Sequence, residues 1–302
     1  MSAKMTALKV KARKGGELIK MITAYDFPTA LIADRASADV ILVGDSVANV
    51  VLGYGDTLSV SVDDMVHHTA AVSRAEPDAL VVGDMPWLSY HTSIEVAVAN
   101  AGRFIREGHA GAVKLEGGRK RIPMVKAILD AEIPVMGHLG LTPQSVHAMG
   151  GYRVQGKRAA EAYDLISDAK ALDDTGVFAI VLEGIPDALA EIVTREVHVP
   201  TIGIGAGAHC DGQVLVFHDV VGLGGDDSVP KFVRAYASLA DDAIAAVKGW
   251  FADVDSRDFP SQDETYHMPE ESAEILRDLA SSRSTAIDLV GDDLLADEAM
   301  ES

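Results

Sequence analysis

The strongest constraint on the fold of this chain is a regular alternation between short apolar segments and longer amphipathic ones. Eight segments are nearly continuous in valine, isoleucine, leucine and alanine, which is typical of parallel strands buried on both faces. These eight are Leu18–Asp26, Asp39–Ser46, Ala79–Pro86, Ala110–Gly118, Ile133–Gly140, Val177–Ile185, Val199–Gly207 and Val214–Gly222. Because helix-like stretches separate them, the pattern predicts an α/β protein with a (β/α)8 TIM barrel.

The linking segments show the spacing of helices. In Ile94–Glu107 and again in Val229–Ala240, apolar residues recur at intervals of three and four, on one face of a helix. Pro186 is expected near the first turn of another helix, whereas His209–Gln213 is too short to form one. The alternative fold is a doubly wound open sheet, and it is less favoured because Gly203–Gly207 lacks the GxGxxG spacing.

Charge and composition exclude several classes of partner. The 302 residues include 46 acidic and 26 basic ones, a formal net charge of −20, so we expect neither nucleic acid nor membrane as a partner. There is one cysteine, Cys210, no apolar run of the roughly 20 residues that a membrane helix needs, and no signal peptide in Met1–Lys20. We therefore predict a cytoplasmic protein. The acidity favours a halophilic, salt-adapted surface, with an ordinary acidic enzyme as the alternative.

The pattern changes towards the C-terminus. Residues 261–302 contain 12 acidic residues and 2 arginines, with scattered leucine and isoleucine and no strand-like segment. We therefore predict a barrel domain over residues 1–267. An acidic C-terminal extension, weakly helical or disordered, is predicted over residues 268–302, and its role stays open.

Polar residues stand at the ends of most strand segments, where TIM barrels place their chemistry. Asp45, Asp84 and Glu116 end the second, third and fourth segments, so a barrel brings them together. Three carboxylates without nearby cysteine or paired histidine favour Mg²⁺ over zinc. The alternative is that these acids cap helices or pair with arginine. Asp26 and the pair His218–Asp219 end the first and last segments in the same way.

Three further side chains complete the candidate site. Lys114 shares a strand face with Glu116 and is expected to hold a substrate carboxylate, with a Schiff-base role or a plain salt bridge as alternatives. Glu183 ends an apolar segment, where burial raises a carboxyl pKa, and is a candidate general base or a helix N-terminal acid. His138 is a candidate donor to a developing oxyanion, or a structural histidine.

Several segments together resemble the ketopantoate hydroxymethyltransferase family. They occur in order from Ile19 to His267, and the pair HLGLTPQSV and GGYRVQG is the most specific part. The segments are TAYD (Thr23–Asp26), VGDS (Val43–Ser46), VGDMP (Val82–Pro86), VKLEGG (Val113–Gly118), GHLGLTPQSV (Gly137–Val146), GGYRVQGK (Gly150–Lys157), LEGIP (Leu182–Pro186), IGIGAG (Ile202–Gly207), DGQVLVFHDVVGL (Asp211–Leu223) and PKF (Pro230–Phe232).

The resemblance implies a barrel of the phosphoenolpyruvate/pyruvate type. It also implies hydroxymethyl transfer from methylenetetrahydrofolate to 3-methyl-2-oxobutanoate through a Mg²⁺-stabilised enolate, which yields 2-dehydropantoate for pantothenate and coenzyme A biosynthesis. Homo-oligomeric rings, often decamers, are typical of the family. The functional residues that it implies are the metal ligands Asp45, Asp84 and Glu116, the substrate contacts Asp45, Ser46, Asp84 and Lys114, and the base Glu183.

Two other functions fit parts of the pattern. One is a different Mg²⁺-dependent carbon–carbon lyase for 2-oxo acids on the same barrel. Such lyases resemble proteins with a catalytic cysteine in a KKCGH-type loop, which this sequence lacks. The other is a non-catalytic barrel scaffold, which predicts the loss of the acids at the strand ends, whereas here they are present.

Overall fold

The computed structural model describes residues 4–224 and 230–282. Eight parallel strands follow one another around a closed barrel in chain order, and the last strand pairs with the first. The strands are β1 (Ile19–Thr23), β2 (Val40–Val43), β3 (Leu80–Asp84), β4 (Ala112–Glu116), β5 (Val135–Gly140), β6 (Ala179–Glu183), β7 (Thr201–Ile204) and β8 (Gly212–Leu215). The predicted (β/α)8 barrel is confirmed, and each strand overlaps its predicted segment.

Helices connect most successive strands. They are α1 (Ala7–Lys11), α2 (Phe27–Arg35), α3 (Val47–Val50), α4 (Val62–Ser73), α5 (Ile94–Arg106), α6 (Ile122–Asp130), α7 (Val146–Met149), α8 (Ala159–Thr175), α9 (Asp187–Glu196), α10 (Phe217–Val221) and α11 (Leu239–Ser256). The predicted helix over Ile94–Glu107 is confirmed as α5, and α9 begins directly after Pro186 as predicted. Residues 205–211, between β7 and β8, form bends without a helix, again as predicted.

Side chains at the helix starts explain where several helices begin. Ser61 and Ser93 each accept a hydrogen bond from a backbone N–H three residues further on, at the starts of α4 and α5. Asp26 does the same for α2, because its carboxylate accepts from the N–H of Thr29 at 2.8 Å. Asp26 is therefore a helix cap, although it ends a strand segment as the site acids do.

The last turn of the barrel differs from its prediction. The eighth segment, Val214–Gly222, is a strand only at its start, and α10 occupies most of its second half. His218 and Asp219 therefore lie on a helix and not at a strand end. A long-range contact accompanies the start of α10, since the N–H of Phe217 donates to Oγ1 of Thr23 in β1 at 2.9 Å.

The helix predicted over Val229–Ala240 is also wrong. Its described part forms turns and coil over residues 230–238, and α11 begins only after them. The ring of Phe232 lies so close to Gly205 that a Cβ there would meet it at 2.7 Å. Tertiary contacts of this kind outweigh the helical spacing of the apolar residues. Val229 itself lies outside the described residues.

Alternate residues of each strand point to opposite faces and build two apolar cores. Val40 and Leu42 belong to the core inside the barrel, whereas Ile41 and Val43 belong to the core between strands and helices. The helix α1 contributes Val10 to the inner core. Towards the carboxyl ends of the strands, interior positions change from apolar to charged, and this change positions the site.

The described residues up to Ala240 form one compact unit, and those from Asp241 onward form a second. In the second unit, α11 is followed by a further helical stretch over residues 270–282. Within the two described ranges, no helix is both long and apolar enough to cross a membrane. The domain division at residue 267 stays a prediction, and residues 283–302 of the acidic extension lie outside the described part.

Candidate active site

The register of neighbouring strands gathers the predicted polar residues at the carboxyl ends of the strands. Asp84 pairs with Lys114 in the ladder between β3 and β4, and Glu116 pairs with His138 between β4 and β5. All of these are buried, while the side chain of Glu183 is 16% exposed. The residues brought together in this way are Asp45, Asp84, Lys114, Glu116, His138 and Glu183.

Lys114 is the cation of one half of the site. Its Nζ lies 2.8 Å from Oδ2 of Asp84, and the same oxygen accepts a hydrogen bond from the N–H of Asp45 at 3.3 Å. Burial lowers the pKa of Lys114, but the carboxylates of Asp84 and Asp45 outweigh burial and hold it above its ordinary value. Lys114 is therefore a charged ammonium, and this argues against the free amine that a Schiff base requires.

The two aspartates carry the opposite charge. Burial, together with the charge of Glu116, raises the pKa of Asp45 to about 6. Burial also raises the pKa of Asp84 to about 6, although Lys114 partly offsets it. Because both groups are still mostly ionised at neutral pH, the site holds more negative charge than Lys114 neutralises.

His138 links two glutamates across the other half of the site. Its Nδ1 lies 3.3 Å from Oε1 of Glu116, and its Nε2 lies 3.2 Å from Oε2 of Glu183. Burial and the charge of Lys114 lower the pKa of His138, but the two glutamates reverse this and raise it to about 9. The sequence indicated apolar surroundings for Glu183, and the structure instead places it beside a cation.

Gln144 is a central residue that the sequence analysis did not single out. Its side-chain amide donates to Oδ2 of Asp45 at 2.9 Å and to the carbonyl of Met85 at 3.0 Å. Its backbone N–H donates to Oε2 of Glu116 at 3.1 Å, and its side-chain carbonyl accepts from the hydroxyl of Tyr90 at 2.6 Å. The one available signal for Gln144 is its place in the TPQS segment directly after β5, and nothing in the sequence marks Tyr90.

The site is part of a cavity of about 990 Å³. This volume is at the upper end of the roughly 300–1,000 Å³ typical of ligand cavities. Ser46 also lines the cavity, and its hydroxyl lies 2.8 Å from the hydroxyl of Tyr25. Leu42, Val181 and Val214 supply apolar wall. Every residue that the sequence predicted for the site therefore lies on this one cavity.

The floor of the cavity fits a divalent cation that keeps part of its water. Oδ1 of Asp84 and Oε1 of Glu116 are buried and accept no hydrogen bond. Among the residues that the structure describes, no three histidine, cysteine or carboxylate side chains are already gathered as a ligand set. Mg²⁺ usually binds one or two protein carboxylates and fills its other positions with water and substrate oxygens. The free oxygens of Asp84 and Glu116 therefore meet its requirement.

Buried carboxylates and cations at the carboxyl ends of TIM-barrel strands, beside a ligand-sized cavity, define a barrel enzyme. The family model of ketopantoate hydroxymethyltransferase matches residues 4–262, and the chain belongs to this family. It is 55% identical over 267 residues to the 3-methyl-2-oxobutanoate hydroxymethyltransferase of Syntrophomonas wolfei, covering 88% of this chain and 96% of that protein. The protein of the same name from Moorella thermoacetica is 55% identical over 265 residues, covering 87% and 98%. The family expected from the motifs is confirmed.

Solved structures with little sequence similarity share the fold. A 2,3-dimethylmalate lyase of the PEP mutase/isocitrate lyase superfamily superposes with a TM-score of 0.53 at 18% identity, covering 94% of this chain and 98% of that one. A phosphonopyruvate hydrolase solved with oxalate and Mg²⁺ gives a TM-score of 0.54 at 14% identity, covering 94% and 99%. These similarities support the (β/α)8 barrel fold.

Proposed function

We propose that this chain transfers a hydroxymethyl group from methylenetetrahydrofolate to 3-methyl-2-oxobutanoate and so makes 2-dehydropantoate, for pantothenate and coenzyme A biosynthesis. Family membership and the two relatives support this activity. The main structural support for this activity is that the side chain of Glu183 is partly exposed in the cavity, whereas Asp84 and Glu116 are buried there. Chemistry through an enolate needs such a base beside groups that stabilise the developing charge.

The 2-oxo acid binds at the floor of the cavity. Lys114 supplies a buried positive charge for its carboxylate, and Ser46 supplies a hydroxyl that Tyr25 orients. His138 also lines the cavity, and we assign its Nε2, which lies 3.2 Å from Oε2 of Glu183, a shared hydrogen bond to the keto oxygen. Apolar wall residues such as Val181 are available to the branched end of the substrate.

Asp45, Asp84 and Glu116 would hold Mg²⁺ at this floor. When bound, the ion polarises the keto group of the substrate and stabilises the negative charge of the enolate. The carboxylate oxygens of Asp84 and Glu116 that accept no hydrogen bond support this assignment. So does the surplus of negative charge over Lys114. The Mg²⁺ and oxalate bound to a phosphonopyruvate hydrolase of the same fold are in line with it.

Glu183 removes the proton from C3 of the oxo acid. Its Oε2 lies 3.2 Å from Nε2 of His138, whose positive charge holds the carboxylate in place. Water opens the methylene bridge of the folate and breaks both of its carbon–nitrogen bonds, which releases formaldehyde and tetrahydrofolate. The carbanion carbon then bonds to the formaldehyde carbon, and the formaldehyde oxygen takes the proton back from Glu183 and becomes the hydroxyl group.

Proton exchange at C3 tests this function without the folate. In deuterated water with Mg²⁺, we expect the protein to erase the C3 proton signal of 3-methyl-2-oxobutanoate in the NMR spectrum. Exchange should stop on addition of a chelator and return with excess Mg²⁺. A protein that is folded by circular dichroism and exchanges no proton with any divalent cation would contradict the proposal.

We also infer the setting in which the chain works: a cytoplasmic homo-oligomer, such as a decameric ring, with a surface suited to high salt. The buried, unpaired Cys210 suits a reducing compartment. The net charge of −20 supports the adaptation to salt, and the family resemblance supports the ring. Sedimentation velocity and the activity over a series of KCl concentrations test the two points separately.

A further inference from the structure

The cavity is larger than the oxo acid requires, and its outer part has a different character from its floor. Two neighbouring side chains of the loop after β5, Tyr152 and Arg153, line it, and so do Lys231 and Phe232 of the segment after α10. All four side chains are exposed. The small substrate of the proposed function occupies the floor, so the outer part is free for a second molecule.

The charged side chains of the cavity also differ between its floor and its outer part. Its acids are four residues of the site together with Asp187 and Asp219. Of the cations that line it, Lys114 is committed to Asp84 at 2.8 Å. Arg153 and Lys231 form no salt bridge with any carboxylate in residues 4–224 and 230–282. Both side chains are therefore available to an anionic ligand in a chain whose net charge is −20.

Contacts with residues next to β6 and β7 hold the segments that carry these two cations at the carboxyl ends of the strands. Beyond Arg153, the N–H of Gln155 donates to the carbonyl of Gly184, next to the end of β6, at 2.9 Å. Beside Lys231, the ring of Phe232 packs on Gly205, next to the end of β7. The two cations therefore approach the same opening from separate loops.

We propose that Arg153 and Lys231 bind the glutamate carboxylates of the folate co-substrate. This inference rests on the proposed function, because it assigns the second substrate of that reaction. Folates carry at least two carboxylates at the end remote from the transferred carbon. Without a local positive charge, such a dianion is repelled by an acidic protein and by an acidic cavity floor. Cations at the opening hold that end while the reactive carbon reaches the floor.

The test compares two methylene donors with a variant that has lost both charges. The variant is Arg153→Gln/Lys231→Gln, and the donors are methylenetetrahydrofolate and a methylenetetrahydropterin that lacks the aminobenzoylglutamate tail. Each exposed ion pair contributes roughly 0.2–1 kcal/mol, so we expect the loss of two pairs to raise the KM for the folate about 2- to 30-fold. The KM for the truncated donor and the kcat should stay within about twofold. The matched control is Arg74→Gln/Lys126→Gln, which removes the same charge from exposed positions outside the cavity.

Proton exchange at C3 separates this proposal from the proposed function, since exchange uses the floor and no folate. Normal exchange with a raised KM for the folate alone supports the assignment. Equal changes for both donors, a change of the same size in the control, or no change overturn it while exchange continues. Loss of exchange in the wild-type protein would instead contradict the proposed function. Salt is a second readout, because the KM for the folate should rise with ionic strength in the wild type and less in the variant.

Discussion

The interior of the barrel contains two layers built on the same strands. The lower layer is apolar and includes Ile19, Met21, Val40, Leu80, Val82, Ala112, Met136, Ala179, Ile202 and Val214. The upper layer consists of Asp84, Lys114, Glu116, His138 and Glu183. Interior positions two residues apart belong to different layers, as with Ala112 and Lys114 on β4, although both are buried. Burial alone therefore does not distinguish a position that holds the fold from one that serves the reaction.

The difference between the layers lies in what their side chains contribute. An apolar side chain stabilises the barrel by leaving water, whereas a buried ion pair roughly repays its desolvation and is often replaceable by apolar residues without loss of stability. We therefore expect the upper layer to add little to folding, which agrees with the catalytic role proposed for it. Substitutions in the upper layer should therefore lower activity more than stability. Substitutions in the lower layer should lower stability more than activity.

The largest effect is expected from Glu183→Gln. Removing a general base commonly lowers kcat by about 10²–10⁴-fold, and we expect about 10³-fold here. The side chain is partly exposed, so the free energy of unfolding in urea should change by less than about 1 kcal/mol. The control is Glu196→Gln, on the surface and paired with Lys170, which should keep the wild-type kcat. Full activity of Glu183→Gln would remove this residue from catalysis.

Lys114→Met should damage both activity and folding. It leaves Asp84 as a buried charge without its cation, which typically costs about 3–5 kcal/mol. The double variant Lys114→Met/Asp84→Asn removes the second charge as well and should recover most of that stability, but not the activity. Urea unfolding and the forward assay measure the two effects. If the double variant stays as unstable as the single one, the upper layer does support the fold.

In the lower layer the expected result is reversed. Ile19 is 1% exposed, and Ile19→Ala should lower the free energy of unfolding by about 3 kcal/mol through lost burial and the remaining cavity. The kcat should remain unchanged at temperatures where the variant is folded. The neighbouring Leu18 is 63% exposed, so Leu18→Ala should change stability by only about 0.5 kcal/mol and is the matched control.

Much of the fold could be predicted from the sequence because its signals are local. Continuous apolar runs mark buried parallel strands, and eight of them with helices between leave few other architectures. The same logic locates Asp45, Asp84 and Glu116, since strand ends must meet at one end of a barrel. The predictions of secondary structure that were wrong concern segments that contact residues far away in the sequence. The hydrogen bond between Phe217 and Thr23 that accompanies the early start of α10 has no local sequence signal.

The positioning residues of the site are hidden from the sequence for a similar reason. A charged residue at the end of an apolar strand is conspicuous, whereas Gln144 and Tyr90 are ordinary residues of their loops. Their role follows from partners 99 and 54 positions away in the chain, respectively. Asp26 shows the opposite error, because its place at a strand end resembles that of the site acids while it caps α2. Sequence position indicates the end of the barrel where a residue lies, but not its partner.

The smallest expected effect tests how the upper layer is held in place. Gln144→Met keeps the length of the side chain but removes the hydrogen bonds to Asp45, Met85 and Tyr90. Groups that orient metal-binding carboxylates commonly contribute about 10- to 100-fold in metal affinity or activity, and we expect about tenfold. The Mg²⁺ concentration for half-maximal activity should rise by that factor, which a purely structural role would leave unchanged. Gln213→Met, whose amide donates to Gly207 at the surface, is the control. An unaltered Mg²⁺ requirement in Gln144→Met would mean that Asp45 holds its position without Gln144.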